Sequence, residues 1–161
     1  MELYFDEPSK AIAVMREVAQ WGHDCGLRVW PLDWLTMEEL VSADARPEDF
    51  CIGKVGGEVV CGFILQRQDQ EYWRDAPKGE AVYLHKLCVR RAYAHQSMSK
   101  QLIAALKDWC KQEKIPYLRL DTAMDEEKVK AIYLDAGFQI VKTIECGNGR
   151  TMALYQLPVS F

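Results

Sequence analysis

The chain of 161 residues predicts an α/β fold built on a mixed sheet. Three observations carry this. Apolar residues switch between a period of two and a period of 3.6, in the order β-α-α-β-β-β-α-β-α-β-β. Two pairs of strand-like runs are joined by short Gly-containing turns, Gly56-Gly57 and Gly147-Asn148-Gly149, which makes each pair an antiparallel hairpin. Residues 81–121 read strand–helix–strand, a unit whose strands run parallel through a right-handed crossover. The sheet is therefore mostly antiparallel around one parallel pair. No repeat, low-complexity tract or linker divides the sequence, so residues 1–161 are expected to form a single domain.

Each element has a local cause. Residues 2–5 suit a short first strand. Asp6 to Ser9 supply cap residues and Pro8 an early helical position, after which Ile12, Met15, Val18, Ala19 and Gly22 follow helical spacing until Gly26. Thr36-Met-Glu-Glu39 reads as a capping box and starts a short helix to Ser42. Residues 50–55 and 59–67 form the first hairpin, and the polar segment 67–80 leads to a strand at 81–89. Helix 97–113 carries Met98, Leu102, Ala105, Leu106 and Trp109 on one stripe. Pro116 opens the strand YLRLD. A helix at about 125–136 places Val129, Ile132, Tyr133 and Ala136 on one face and stops at Gly137. Residues 138–145 and 151–157 make the last hairpin.

Composition narrows the function. Hydrophobic content of 49% with 27% charged residues is globular, and the net charge of -4 argues against nucleic-acid binding. No apolar run is long enough to span a membrane, and the acidic start MELYFDEPSK carries no secretory signal, so a cytoplasmic protein is expected. The six cysteines contain no CxxC pair and suggest free thiols. A two-residue turn would aim Cys51 and Cys61 at opposite faces of the hairpin, unless a one-residue bulge intervenes. His85 and Cys88 alone cannot complete a zinc site, so no metal is expected.

Residues 81–107, AVYLHKLCVRRAYAHQSMSKQLIAALK, hold no Asp or Glu but carry Lys86, Arg90, Arg91, Lys100 and Lys107. A strand, a small polar loop and a helix N-terminus form an anion site, because the first-turn N–H groups are free and the helix dipole adds positive potential. The expected ligand is the pyrophosphate of a cofactor.

These motifs resemble the GCN5-related N-acetyltransferase (GNAT) superfamily, most strongly from Tyr83 to Phe138. LHKLCVRRAYAHQSMSKQLI is similar to the family's acyl-CoA motif, and YLRLD followed by a helix ending in Tyr133-Leu-Asp-Ala-Gly137-Phe138 is similar to its second motif. The resemblance implies the GNAT fold: helices on both faces of the sheet and a central parallel pair splayed to receive coenzyme A. Leu87, Cys88 and Val89 would border the pantetheine arm. Ala94, His95, Gln96, Ser97, Met98, Ser99 and Lys100 would hold the pyrophosphate, with Arg90 and Arg91 near. The chain departs from the pattern where Ala94, Ser97 and Ser99 replace Arg/Gln, Gly and Gly/Ala, and where Glu126 replaces Asn. A Ser there costs little unless the backbone needs a positive φ.

The resemblance gives Tyr133 the role of proton donor to the leaving thiolate, whereas its stripe alone allows a core tyrosine. No Glu stands on strand 81–89 to serve as base. Simple alternation puts Tyr83, His85 and Leu87 on one face and Leu84, Lys86 and Cys88 on the other, so His85 is the candidate base; alternatively it is a structural histidine. Cys88 as an acyl carrier has no neighbour in sequence to activate it. Trp30, Trp34, Tyr72 and Trp73 are candidates to cage an amine by cation–π contact and Tyr83 to shape the acceptor pocket, with Asp69, Glu71, Asp75 and Glu80 adding negative charge. The implied activity is acetyl transfer from acetyl-CoA to a small-molecule or peptide amine, with both bound together. The alternative is a non-catalytic acyl-CoA-binding regulatory or interaction module. Homodimers are common among relatives.

Overall fold

The structure, a computed structural model, describes residues 1–161. Its elements are β1 (Glu2–Tyr4), α1 (Pro8–Asp24), α2 (Met37–Leu40), β2 (Phe50–Val55), β3 (Glu58–Gln66), β4 (Ala81–Val89), α3 (Met98–Gln112), β5 (Tyr117–Ala123), α4 (Glu127–Asp135), β6 (Gln139–Glu145) and β7 (Thr151–Pro158). Local signals set most of these bounds. Thr36 Oγ1 accepts the Glu39 N–H at 3.2 Å and caps α2. Gly56 and Gly57 both have positive φ, 58° and 81°, as the tight hairpin turn between β2 and β3 requires.

All seven strands belong to one sheet, in the order β1-β2-β3-β4-β5-β7-β6, and only β4 and β5 run parallel. The last hairpin inserts β7 between β5 and β6, a placement that chain order does not reveal. Helices cover both faces. On one face, α3 and α4 pack through Leu102, Leu106 and Tyr133 against Phe63, Leu65, Val82 and Leu118. On the other, α1 packs through Ala11, Val14 and Met15 against Phe50, Ile52 and Ile64. Each fully buried aliphatic side chain contributes roughly 1.5–3 kcal/mol. Gly62 lets α1 come close to the sheet, since a Cβ there would sit 2.9 Å from the Ala11 carbonyl oxygen. No helix is long and apolar enough to cross a membrane.

Two bulges overturn simple alternation. In the first hairpin Gly53 faces Cys61 but Lys54 faces Val59, so Val60 is the extra residue. Cys51 and Cys61 consequently lie on the same face, not opposite ones, and all six cysteines are free. In β4 the register jumps from Gly62↔Cys88 to Ile64↔His85, with Lys86 at φ 55°, so Phe63 faces two residues. Val82 and Leu84, then Leu87 and Val89, pack toward α3 and α4, while Cys88 turns to α1. Leu84 and Cys88 therefore do not share a face, contrary to the alternation expected from sequence.

Candidate active site

The parallel pair is short. β4 and β5 are paired only at Ala81↔Tyr117, Val82↔Leu118 and Tyr83↔Arg119, and from Leu84 and Leu120 onward they part. The bulge at Lys86 follows within two residues and adds a local bend to β4. The resulting cleft, about 390 Å³, is lined by Leu84, His85, Leu87, Asp121, Thr122 and Tyr133, among others. Main-chain groups of β4 that face it have no strand to bond, so a guest chain carrying amides can complete the ladder.

Following β4 outward, Val89 leads to a second cavity of about 450 Å³ between the start of α3 and the end of α4. Ala94, His95, Ser97, Met98, Ser99 and Lys100 line it, and Ile132, Asp135 and Ala136 form its far wall. Ile132 is thus a cavity residue, 43% exposed, instead of the core residue its spacing suggested. The first α-helical bond runs from Gln101 N–H to the Ser97 carbonyl at 3.0 Å, which leaves the N–H groups of Met98, Ser99 and Lys100 without helical partners. The turn needs left-handed backbone at two non-glycine residues, His95 (φ 61°) and Ser97 (φ 58°). Arg91 and Lys100 add positive charge to a wall whose one acid is Asp135, and His95 adds a ring nitrogen.

Two residues expected here are elsewhere. Arg90 is committed to the scaffold: its guanidinium donates to Glu17, Nε–Oε2 3.0 Å, and to the Val59 carbonyl. Gln96 turns its amide to the Ala92 carbonyl at 3.4 Å and does not line the cavity.

The cleft has titratable groups from both faces of the sheet. Tyr133, 8% exposed, enters from the α4 side, packed edge-on against Phe138 with ring centroids 5.6 Å apart. Burial pushes its phenol well above the ordinary value, with Tyr155, Cys88 and Asp121 acting the same way, so it is held protonated. His85 enters from the α1 side and borders a further cavity of about 370 Å³, lined also by Glu39, Asp44, Asp69, Glu71 and Lys86. Its ring lies between two carboxylates. Nε2 is 3.4 Å from Asp69 Oδ2 and Nδ1 is 3.9 Å from Asp121 Oδ2, close enough for charge attraction but not aligned as hydrogen bonds. Burial raises the Asp69 carboxyl, but His85 and the N–H groups of Tyr72 and Glu71 outweigh it and hold the carboxyl below its ordinary range. Burial pushes Asp121 up to about 6, with His85 and Lys86 pulling it down and Asp69 and Glu71 lifting it.

Counting only His85 and Cys88 missed this cluster. Cys88 faces away, and burial pushes its thiol up to about 12, so it is no nucleophile. A signal for Asp121 existed: it ends YLRLD, at the carboxyl end of a parallel strand, on the face opposite Leu118 and Leu120.

The aromatic residues are placed differently from a cage. Trp30 borders the cleft, but Lys86 Nζ already sits 5.0 Å from its ring. Trp34 is 57% exposed and lines neither the cleft nor the cavities on either side of it. Trp73 and Tyr83 flank the buried Arg119, whose guanidinium lies 4.2 Å from the Trp73 ring and donates to the Tyr83 hydroxyl at 3.2 Å. Those ring faces are filled by the protein's own cation. Asp69 and Glu71 line the cavity beside His85, whereas Glu80 pairs with Arg119 at 3.0 Å.

Comparison with known proteins places this geometry. Residues 14–138 match the model of the Acetyltransferase (GNAT) family. No curated protein matches the chain. Among solved structures, a GNAT-family acetyltransferase from Listeria monocytogenes is 23% identical with TM-score 0.71, covering 98% of this chain and 94% of that one. The ribosomal-protein-S18-alanine N-acetyltransferase of Escherichia coli is 15% identical with TM-score 0.66, covering 99% of this chain and 94% of that one. The yncA protein of Salmonella typhimurium, solved with its cofactor acetyl-CoA, is 12% identical with TM-score 0.60, covering 100% and 95%. At these identities the likeness is one of fold. With a family match across most of its length, a splayed parallel pair and free amides at the head of α3, the chain belongs to the GNAT acetyltransferase family, whose cofactor is acetyl-CoA.

Proposed function

We propose that the protein transfers the acetyl group of acetyl-CoA to a primary amine by direct attack, with donor and acceptor bound together. The observation that carries this is the cleft between β4 and β5, which has a buried phenol on one side and an imidazole set between two carboxylates on the other. The N–H groups of Met98, Ser99 and Lys100, with Arg91, His95 and Lys100, suit the pyrophosphate. Unpaired β4 main chain suits the pantetheine amides and supplies an N–H to the thioester carbonyl as charge builds on its oxygen. The acceptor enters from the His85 side, where Asp69 and Glu71 favour a cationic amine on a small molecule or a peptide. His85, directly or through water, takes the amine proton, and Tyr133 protonates the departing sulfur. Holding both reactants in one cleft lowers the entropic part of the barrier. A ping-pong route through Cys88 is disfavoured by its orientation and raised pKa.

The strained Ser97 in the phosphate turn favours a second reading, a module that binds acyl-CoA without turnover. Thiol release from acetyl-CoA across a panel of small amines, amino acids and peptides decides between them. Amine-dependent release with an acetylated product supports transfer. A thermal shift with coenzyme A but no release with any amine supports the binding module. Neither effect would remove the cofactor site altogether.

A further inference from the structure

Asp69, His85 and Asp121 come from the β3–β4 connection, β4 and β5, and each presents a polar atom within 4.8 Å of the other two. The transfer reading uses His85 and leaves Asp121 without a task. Yet Asp121 is only 12% exposed, and its Oδ2 is buried with no hydrogen-bond partner, an arrangement that costs stability and that a functional role would account for. Resting on that transfer reading, we infer that Asp121 shares with His85 the proton given up by the acceptor amine, while Asp69 fixes the imidazole between them.

The geometry assigns the parts. Asp69 Oδ1 accepts the N–H groups of Glu71 and Tyr72, both at 3.0 Å, so its other oxygen is anchored beside His85 Nε2. The opposite ring nitrogen is then left facing Asp121, which lines the cleft itself. His85 borders both the cavity on the α1 side and the cleft, so it stands between the two with Asp121 on the cleft side. The other titratable groups facing Asp121 are Lys86 from β4, Glu71 and Tyr72 from the connection, Tyr133 and Glu126 from α4 and its cap, and Arg150 ahead of β7. Burial places Asp121 at about 6, where a carboxylate both accepts and returns a proton near neutral pH.

The proton balance closes. The amine arrives as an ammonium. One N–H bond breaks, its electron pair stays on nitrogen as the nucleophile, and the proton forms an O–H bond at Asp121 or an N–H bond at His85. As the C–N bond forms, nitrogen loses a second proton, which refills Tyr133 after Tyr133 has protonated the sulfur. One proton per turnover leaves the His85–Asp121 pair for solvent.

Carbon-13 NMR of the Asp121 carboxyl against pH tests this in the wild-type protein and in His85→Gln. The expected midpoint is near 6 in the wild type and higher in His85→Gln, because His85 favours the carboxylate. Steady-state kinetics of Asp121→Asn, its folding checked by the thermal shift with coenzyme A, should show turnover lowered roughly 100-fold. Its KM for acetyl-CoA should be unchanged and the acid limb of its pH profile displaced. Asp69→Asn should displace the same limb with a smaller loss of turnover. A midpoint near the ordinary carboxylate value of about 4, insensitive to His85→Gln, overturns the inference. So does an Asp121→Asn enzyme with the wild-type pH profile. Should wild-type protein acetylate no amine, the transfer reading fails, and the carboxyl titration still decides whether His85 and Asp121 share a proton.

Discussion

Replacing Ser97 by glycine isolates the energetic consequence of building the phosphate turn without glycine. Ser97 stands at φ 58°, ψ 33°, immediately before α3, and its side chain caps nothing. An L-residue in left-handed backbone costs roughly 1–2 kcal/mol relative to glycine. Glycine widens the unfolded ensemble and offsets about 0.4–1 kcal/mol of that relief. Ser97→Gly should therefore stabilise the protein by about 0.5–1 kcal/mol, a rise in Tm of about 1–4 °C for a domain of this size. Because no side-chain hydrogen bond is lost, nothing in the fold opposes the change. Thermal unfolding of wild type, Ser97→Gly and Ser97→Ala measures it. The alanine variant keeps the Cβ that causes the strain and should melt with the wild type. Coenzyme A should raise the melting temperatures of wild type and Ser97→Gly by equal increments, since the same amides face the ligand. A glycine variant that melts at or below wild type, or an alanine variant that gains as much, refutes the strain argument.

Tyr133→Phe should lower turnover about 100-fold while leaving acetyl-CoA binding by calorimetry unchanged; wild-type turnover would remove the phenol from the reaction. Asp121 binds its proton more tightly in the folded state, at about 6 against an ordinary value of about 3.9, so the stability it contributes is full below the ordinary value and is lost as pH rises through 6. That loss is about 3 kcal/mol, most of it between pH 4 and pH 7, and Asp121→Asn should flatten the corresponding fall in urea unfolding; parallel curves for variant and wild type would contradict it. Arg119 is nearly buried, pairs with Glu80 at 3.0 Å, donates to Gln156 at 2.9 Å and stacks on Trp73. Arg119→Ala strands these partners and should cost about 3 kcal/mol by urea unfolding, whereas a loss below about 1 kcal/mol would mean that water satisfies them.

Much of the site was legible because its causes are local. The run from Ala81 to Val89 contains its own strand pattern, and β4 has those same bounds. Within the acid-free stretch 81–107, Ser97, Ser99 and Lys100 line a cavity at the head of α3. Tyr133, four residues before Gly137, lies in the cleft wall. Arg90, Trp73 and Tyr83 were misplaced for one shared reason: a cation and its partner, Glu17 with Arg90 or Arg119 with Trp73, are far apart in the chain.

The amino-acid order alone determined which segments are strands and helices, which strands form hairpins, and where unpaired amides collect, because backbone preference and hydrophobic period act over a few neighbours. The tertiary structure alone decided what faces what. One extra residue at Lys86 turns Cys88 to α1, β4 and β5 part after Tyr83, β7 slips in beside β5, and the packing of three separate segments sets Asp69 and Asp121 around His85. Strand alternation has a period of two, so a single inserted residue reverses every later side chain, and no local pattern records such an insertion.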